Sequence, residues 1–296
     1  MEHRGQRNTV ETVTNDSAVD PPGGGLLRNP ADRLTVAVVV AVGAARALLV
    51  GIDHNVSAWL VLASVVVMPT VWTIKHNVIH ATVFTSPSLD RAFSAVLTTL
   101  TGTSSATTAL VHNAIHHRHN NSPDDWTSVA RAYRFRWRLL RLVTYPVAVI
   151  GGLAGPKKRY LADRVALRRR ITGDTALVAA TIAAALAVAP GRTLAYVVVP
   201  MVFGQWFLIA MNYLQHDGCD HTSALDHANN HTGVVLNRLL FNVGYHTAHH
   251  LRPDAHWSEL PALHRDRVAP GIDPRLLRRS FWAHLVVDYA LRVDRR

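Results

Sequence analysis

Ser57–His80 reads SAWLVLASVVVMPTVWTIKHNVIH: an uncharged run to Ile74, then Lys75 and a His76-x3-His80 pair. An apolar helix of this length, rising about 1.5 Å per residue, crosses a hydrocarbon core about 30 Å thick. Ser57–Ile74 therefore reads as a membrane span that delivers histidines at its end. A matching run, Leu34–Val50, precedes it, and the Gly51–Val56 connection is so short that the two spans form a hairpin. Arg28 and Arg33 precede the first span and Lys75 follows the second, which puts both outer ends in the cytoplasm by the positive-inside rule. Arg46 lies near the far end of the first span, where it is expected to snorkel toward the headgroups.

Thr175–Ala189 and Thr193–Leu214, joined by the turn signal Pro190-Gly191-Arg192, make a second hairpin that returns to the cytoplasm at Asn212–His216. Leu89–Val111 is Thr- and Ser-rich and is expected to dip into the bilayer without crossing. Leu139–Gly155 is flanked by basic residues on both sides, Arg131–Arg141 and Lys157-Lys158-Arg159. Crossing would strand one cluster on the wrong face, so an interfacial helix is expected there. Composition agrees: 17% of the 296 residues are charged and 49% are hydrophobic, against about 25% charge in a soluble domain. The expected fold is an all-α integral membrane protein: about four transmembrane helices in two hairpins, interfacial helices, and a cytoplasmic histidine-rich cap after residue 216. Residues 1–30 are expected to form a disordered cytoplasmic tail, and residues 31–296 a single membrane-embedded unit with its cap, which ends in an amphipathic helix near Phe281–Val293. The formal charge of +11 sits beside apolar segments, which suits anionic lipid and argues against a nucleic-acid partner. One cysteine, Cys219, excludes an intrachain disulfide and a thiolate cluster.

Of the eighteen histidines, six lie in residues 76–119 and nine in residues 216–264. They form spaced groups: His76 and His80; His112, His116 and His117; His216 alone; and His246, His249 and His250. Residues three or four apart share a helix face. His76 and His80 can thus converge on one metal, as can His112 and His116 with His117 turned toward a neighbour, and the last triplet repeats the arrangement. Nine imidazoles exceed one ion's needs and suit two, although ligand type admits Zn, Cu, Fe or Ni. A single HxxxH pair is commonly chance; four groups at one predicted membrane edge are not. His119, His221, His227, His231, His256 and His264 break the spacing and read as neighbours or surface residues, and His3, His54 and His284 as surface or headgroup decoration. Asp124, Asp125, Asp217, Asp220, Asp254 and Glu259 are candidates to orient ligand rings.

Three stretches carry a family resemblance. His112–Asp125, HNAIHHRHNNSPDD, is similar to the second histidine box of alkane monooxygenases. Asn212–Gly218, NYLQHDG, resembles their Asn-Tyr-x-x-His-x-Gly motif. Gly244–His250, GYHTAHH, followed by Pro253, Trp257 and Leu260-Pro261, resembles the last box of bacterial acyl desaturases. The chain thus resembles the membrane fatty-acid desaturase and hydroxylase superfamily over roughly residues 34–270. That resemblance implies a non-haem diiron centre of two Fe, O2 as co-substrate, and attack on an unactivated C–H bond of a hydrophobic acyl or alkyl chain, whether free or bound to a carrier or CoA. Loss of a second hydrogen gives desaturation; transfer of oxygen gives hydroxylation. The longer match in the last box favours desaturation, with alkane-monooxygenase-like hydroxylation as the alternative. No fused reductase or haem segment is visible, so electrons are expected from a separate ferredoxin or rubredoxin with its reductase. The expected location is a bacterial inner membrane with the active site facing the cytoplasm. A metal transporter would need ionisable residues inside its spans, the same objection meets a bis-histidine cytochrome, and a zinc protease would need HExxH; the sequence fits none of these.

Overall fold

A computed structural model describes residues 25–52 and 54–292. The expected tail lies outside the described residues as far as position 24, as does His3. Residues 26–28 pair with the segment before the third helix: Arg28 N donates to Val83 O at 2.9 Å and Thr85 N to Leu26 O at 3.1 Å.

Where apolar residues run all round a helix, no stripe is left for water. Four such helices are long enough to span: α1 (Asp32–Gly51), α2 (Ala58–Val78), α6 (Val165–Val188) and α7 (Pro190–His216). They display large apolar side chains outward, among them Trp59, Val66, Val188 and Val202, as lipid-facing helices do. Both hairpins close at the far end, where Ser57 N donates to Tyr196 OH at 2.8 Å and Arg192 Nε to Val50 O at 3.1 Å. The break between α6 and α7 falls at Ala189, and Pro190 opens the next helix, a position where its missing N–H costs nothing. α2 and α7 approach closely at Gly204, where a Cβ would lie 2.5 Å from Trp72 Cδ1.

The chain between α2 and α6 enters this bundle without crossing it. α3 (Pro87–Thr101) runs down to Gly102, whose φ of 72° allows the reversal, and α4 (residues 105–119) climbs back. Arg46 does not snorkel: its Nη1 donates to Leu100 O at 2.7 Å, satisfying a carbonyl at the end of α3. Lys75 likewise does not face the cytoplasm. It lies inside α2, fully buried, and its Nζ donates to Thr101 Oγ1 at 2.9 Å and to Thr103 O. Ser104 Oγ, in the same reversal, donates to Asp174 of α6 at 2.6 Å. Two charges inside apparent spans thus fasten the re-entrant turn. α5 (Arg138–Tyr160) is a fifth helix of spanning length and composition. Both its ends nevertheless sit at the histidine end: Arg138 lies 3.8 Å from Asp217, and Tyr160 packs on Trp126, next to Asp125. α5 thus begins and ends at the same end of the bundle.

Beyond α7 the cap contains α8 (Val234–Leu239), α9 (His246–Leu251), α10 (residues 260–268) and α11 (residues 281–290). A short parallel pair, β1 (Asn230–His231) and β2 (Leu277–Arg278), ties α11 to the segment leading into α9. Gly244, just before α9, is required by contact: a Cβ there would meet His231 O at 2.0 Å.

Candidate metal centre

All nine histidines singled out by spacing meet at one end of the bundle, in two groups. His76, His80, His112 and His249 form one, and His116, His216, His246 and His250 the other; within each, one ring nitrogen per residue lies within 4.8 Å of the others. His117 stands between them. Its Nε2 is 3.0 Å from both His112 Nε2 and His249 Nε2, and its ring is 4.3 Å from that of His250.

This partition differs from the expected one. His112 and His116 contribute to different groups, and the segment that carries them, Leu110–His116, is a π-helix. With i→i+5 bonding a turn takes more residues than in an α-helix, so the residue five positions on comes round toward a given one. His117 thereby reaches His112, while His116, its ring stacked 5.2 Å from that of His112, contributes to the other group. In α9, His246 and His250 stay together and His249 crosses to the first group. His76 and His80 share one group as expected.

Hydrogen bonds at the outer nitrogens fix which way several rings present their lone pairs. His116 Nδ1 donates to Asp125 Oδ2 at 2.7 Å, and His216 Nδ1 donates to His227 O at 2.9 Å. A neutral imidazole that donates through Nδ1 keeps an acceptor lone pair at Nε2. His116 Nε2 is buried and has no hydrogen-bond partner among the described residues. Of the six candidate acids, Asp125 is the one that orients a ring of either group. It also accepts from Asn121 N at 2.9 Å and from Thr127 N and Oγ1 at 2.7 Å each. Burial alone would raise its pKa, but His116 and the Thr127 bonds outweigh that and hold the carboxyl well below the usual range. Asp217 instead accepts from Tyr289 OH at 3.1 Å, Asp220 bonds Thr222 and Asp254 pairs with Arg252, while Asp124 and Glu259 are exposed.

The donor set fits a pair of metal ions. Imidazole nitrogens sit about 2.0–2.1 Å from a divalent ion such as zinc, so neighbouring ligands on one ion stand about 2.9–3.4 Å apart. Here Nε2 atoms face one another at 2.8 Å (His76–His112), 3.0 Å (His216–His246) and 3.2 Å (His246–His250). Burial first, then the charge of neighbouring rings, holds His80, His112, His117, His246, His249 and His250 well below the ordinary imidazole pKa. They are neutral at physiological pH, the form that binds metal.

The remaining histidines sort by contact. His227 supplies the carbonyl that orients His216, and its ring lies 5.1 Å from His250. His119 is half-buried and His221 exposed. His256 Nε2 is 3.2 Å from Asp32, which pins the cap to the start of α1, and His264 packs on Tyr245. His284 is not surface decoration. It is buried, and its Nδ1 lies 2.9 Å from His231 Nε2; no local spacing could show a pair 53 residues apart. His54 packs on Tyr196 at the far end.

A cavity of about 130 Å³ opens on His76, His112, His116 and His246 and extends between α2, α4, α5 and α7 past Val149, Leu153, Leu208 and Ile209. That is close to the volume of about 150 Å³ that admits benzene in an engineered protein cavity, so it takes a few carbons beside the histidines. Thr107, Thr108 and Asn212 add polar groups to its wall.

A comparison with the curated proteins gave no match. The family of fatty acid desaturases matches residues 56–282, a stretch containing every histidine of both groups and the cavity wall. Spans, clustered imidazoles and apolar cavity therefore have one family setting: the chain belongs to the fatty acid desaturase family.

Proposed function

We propose that this protein is an O2-dependent diiron oxidoreductase that desaturates a fatty acyl or similar hydrophobic chain. The observation that carries the reading is the pair of four-histidine groups facing an apolar cavity at one end of the spans. His76, His80, His112 and His249 hold one iron, His116, His216, His246 and His250 the other, and His117 serves between them. A bound iron pair would activate O2, with two electrons from a separate carrier, so that hydrogen is removed from an unactivated C–H bond and O2 leaves as water. The protein's part is placement. Val149, Leu208 and Ile209 take the chain out of water and aim one segment at the histidines, and such positioning decides the outcome at the ångström scale. Asp125 and the His227 carbonyl hold the Nδ1 protons of His116 and His216, keeping both Nε2 lone pairs on the metal side.

The histidine end faces the cytoplasm of a bacterial inner membrane, because Arg131, Arg134, Arg136 and the Arg168–Arg170 run cluster there. Electrons come from a separate acidic carrier such as ferredoxin or rubredoxin, which that basic surface attracts. The test is metal analysis of purified protein: two irons per chain, lost on His116→Ala or His249→Ala. Stoichiometric zinc without iron would sink the proposal. Mass analysis of products from cells given acyl chains and a ferredoxin system separates the reactions: loss of two hydrogens supports desaturation, and one added oxygen assigns hydroxylation instead.

A further inference from the structure

The cap has helices built inside out. On α11, Trp282, Val286 and Val287 point away from the protein, with Trp282 70% exposed, and Leu291 just past its end is 74% exposed. The polar residues of the same helix point inward. His284 meets His231, Asp288 lies 3.2 Å from Arg278 and 2.8 Å from Arg292, and neighbouring Tyr289 reaches Asp217. α8 repeats the pattern: Val234, Val235 and Leu239 are exposed, while Asn237 is buried and donates to His231 O at 2.8 Å. A helix at a water surface shows the opposite arrangement.

We propose that α8 and α11 lie in the headgroup and upper acyl layer of the bilayer, so that this part of the cap is a lipid-binding surface and not a solvent-facing cover. Two observations select lipid over a second copy of the chain. The exposed Arg238 and Arg279 flank the apolar faces while the helix acid, Asp288, is turned inward, which matches an anionic leaflet. The faces also continue an apolar surface already set against the bilayer: Leu285 and Phe281, like Trp206, pack on the cluster containing Leu142 and Tyr145, and α5 and α7 expose Val143, Val147 and Val202. A tryptophan on such a face takes the interfacial position that indoles prefer. The contact also has a mechanical consequence. α11 is strapped through β2 to His231, whose N–H donates to Gly244 O at 2.8 Å, so the leaflet grips the segment that presents His246, His249 and His250.

The test reconstitutes the full chain and its Trp282→Phe variant in phosphatidylcholine–phosphatidylglycerol vesicles and takes the difference of their tryptophan emission. Vesicle flotation confirms separately that the spans insert, so failure of the membrane reading is distinguishable from failure of this one. The Trp282 component is expected to lose most of its intensity when the lipids are brominated high on the acyl chain, and little when acrylamide is added to the water. Quenching by acrylamide without quenching by brominated lipid would overturn the proposal and place the face in solvent. Resistance to both would overturn it in favour of a protein covering.

Discussion

Replacing Asp125 with Asn removes one charge and almost no volume, and its consequences follow from who donates to each oxygen. Oδ1 accepts from Thr127 N and Thr127 Oγ1, and Oδ2 from His116 Nδ1 and Asn121 N. Each oxygen faces one backbone N–H that cannot become an acceptor, so an amide satisfies one side only. With its NH2 toward His116 it drives that ring to the tautomer with hydrogen on Nε2, the nitrogen that should bind metal; with its oxygen there it withdraws the charge that holds the Nδ1 proton. Losing such an outer partner typically costs 10–100-fold in metal affinity, about 1.4–2.8 kcal/mol. Asp125 touches one group only, so the loss is expected at the His116, His216, His246 and His250 site and not at the other. Titration of metal-free protein with ferrous ion, with circular dichroism to confirm the fold, should change from two tight sites to one tight and one weakened. Two unchanged sites would refute the account of Asp125; equal loss at both with an intact fold would refute the partition of histidines.

Other residues give equally direct tests. Gly244→Ala drives a methyl group into His231 O at 2.0 Å; a cost at the upper end of the about 1–3 kcal/mol of overpacking should appear as rapid proteolysis of the cap and loss of iron. Ile209→Trp fills the cavity, and product formation should fall while both irons stay bound. For the His231–His284 pair, burial first and then nearby charge push both pKa values down to about 3, against about 6.5 when unfolded. The unfolded chain therefore takes up protons first as pH falls, so the pair costs no stability above about pH 6.5 and up to about 1.4 kcal/mol per group per pH unit between there and pH 3. Proteolysis of the cap should accelerate over that window and less steeply in His284→Gln; an identical pH profile for the two would count against the assignment.

What was legible in the sequence was whatever sums along the chain. Hydropathy located α1, α2, α7 and the part of α6 beyond Asp174 because each is apolar all round, and spacing found the nine histidines because each group lies on one local segment. Flanking charge set Leu139–Gly155 apart from the spans, where α5 is a fifth helix of spanning length and composition with both ends at the histidine end. The same reasoning misjudged Arg46 and Lys75, since a charge near a span's end reads as facing water unless its partner is known. Those partners, Leu100, Thr101 and Thr103, lie 26 to 54 residues away on a re-entrant turn.

By itself, then, the sequence determined an all-helical membrane protein with its imidazoles gathered at one end. Only the tertiary structure decided how they divide, because the division depends on helix phase and on how the helices pack: the π-helix at Leu110–His116 brings His117 round to His112, and His116 joins His216, His246 and His250 on neighbouring elements. It also chose Asp125 among six acids, by a bond formed where the chain folds back on itself at Asn120 and Asn121, both with positive φ. The outward apolar faces of α8 and α11 belong to the same class. A short segment has no inside until the rest of the protein covers one of its faces.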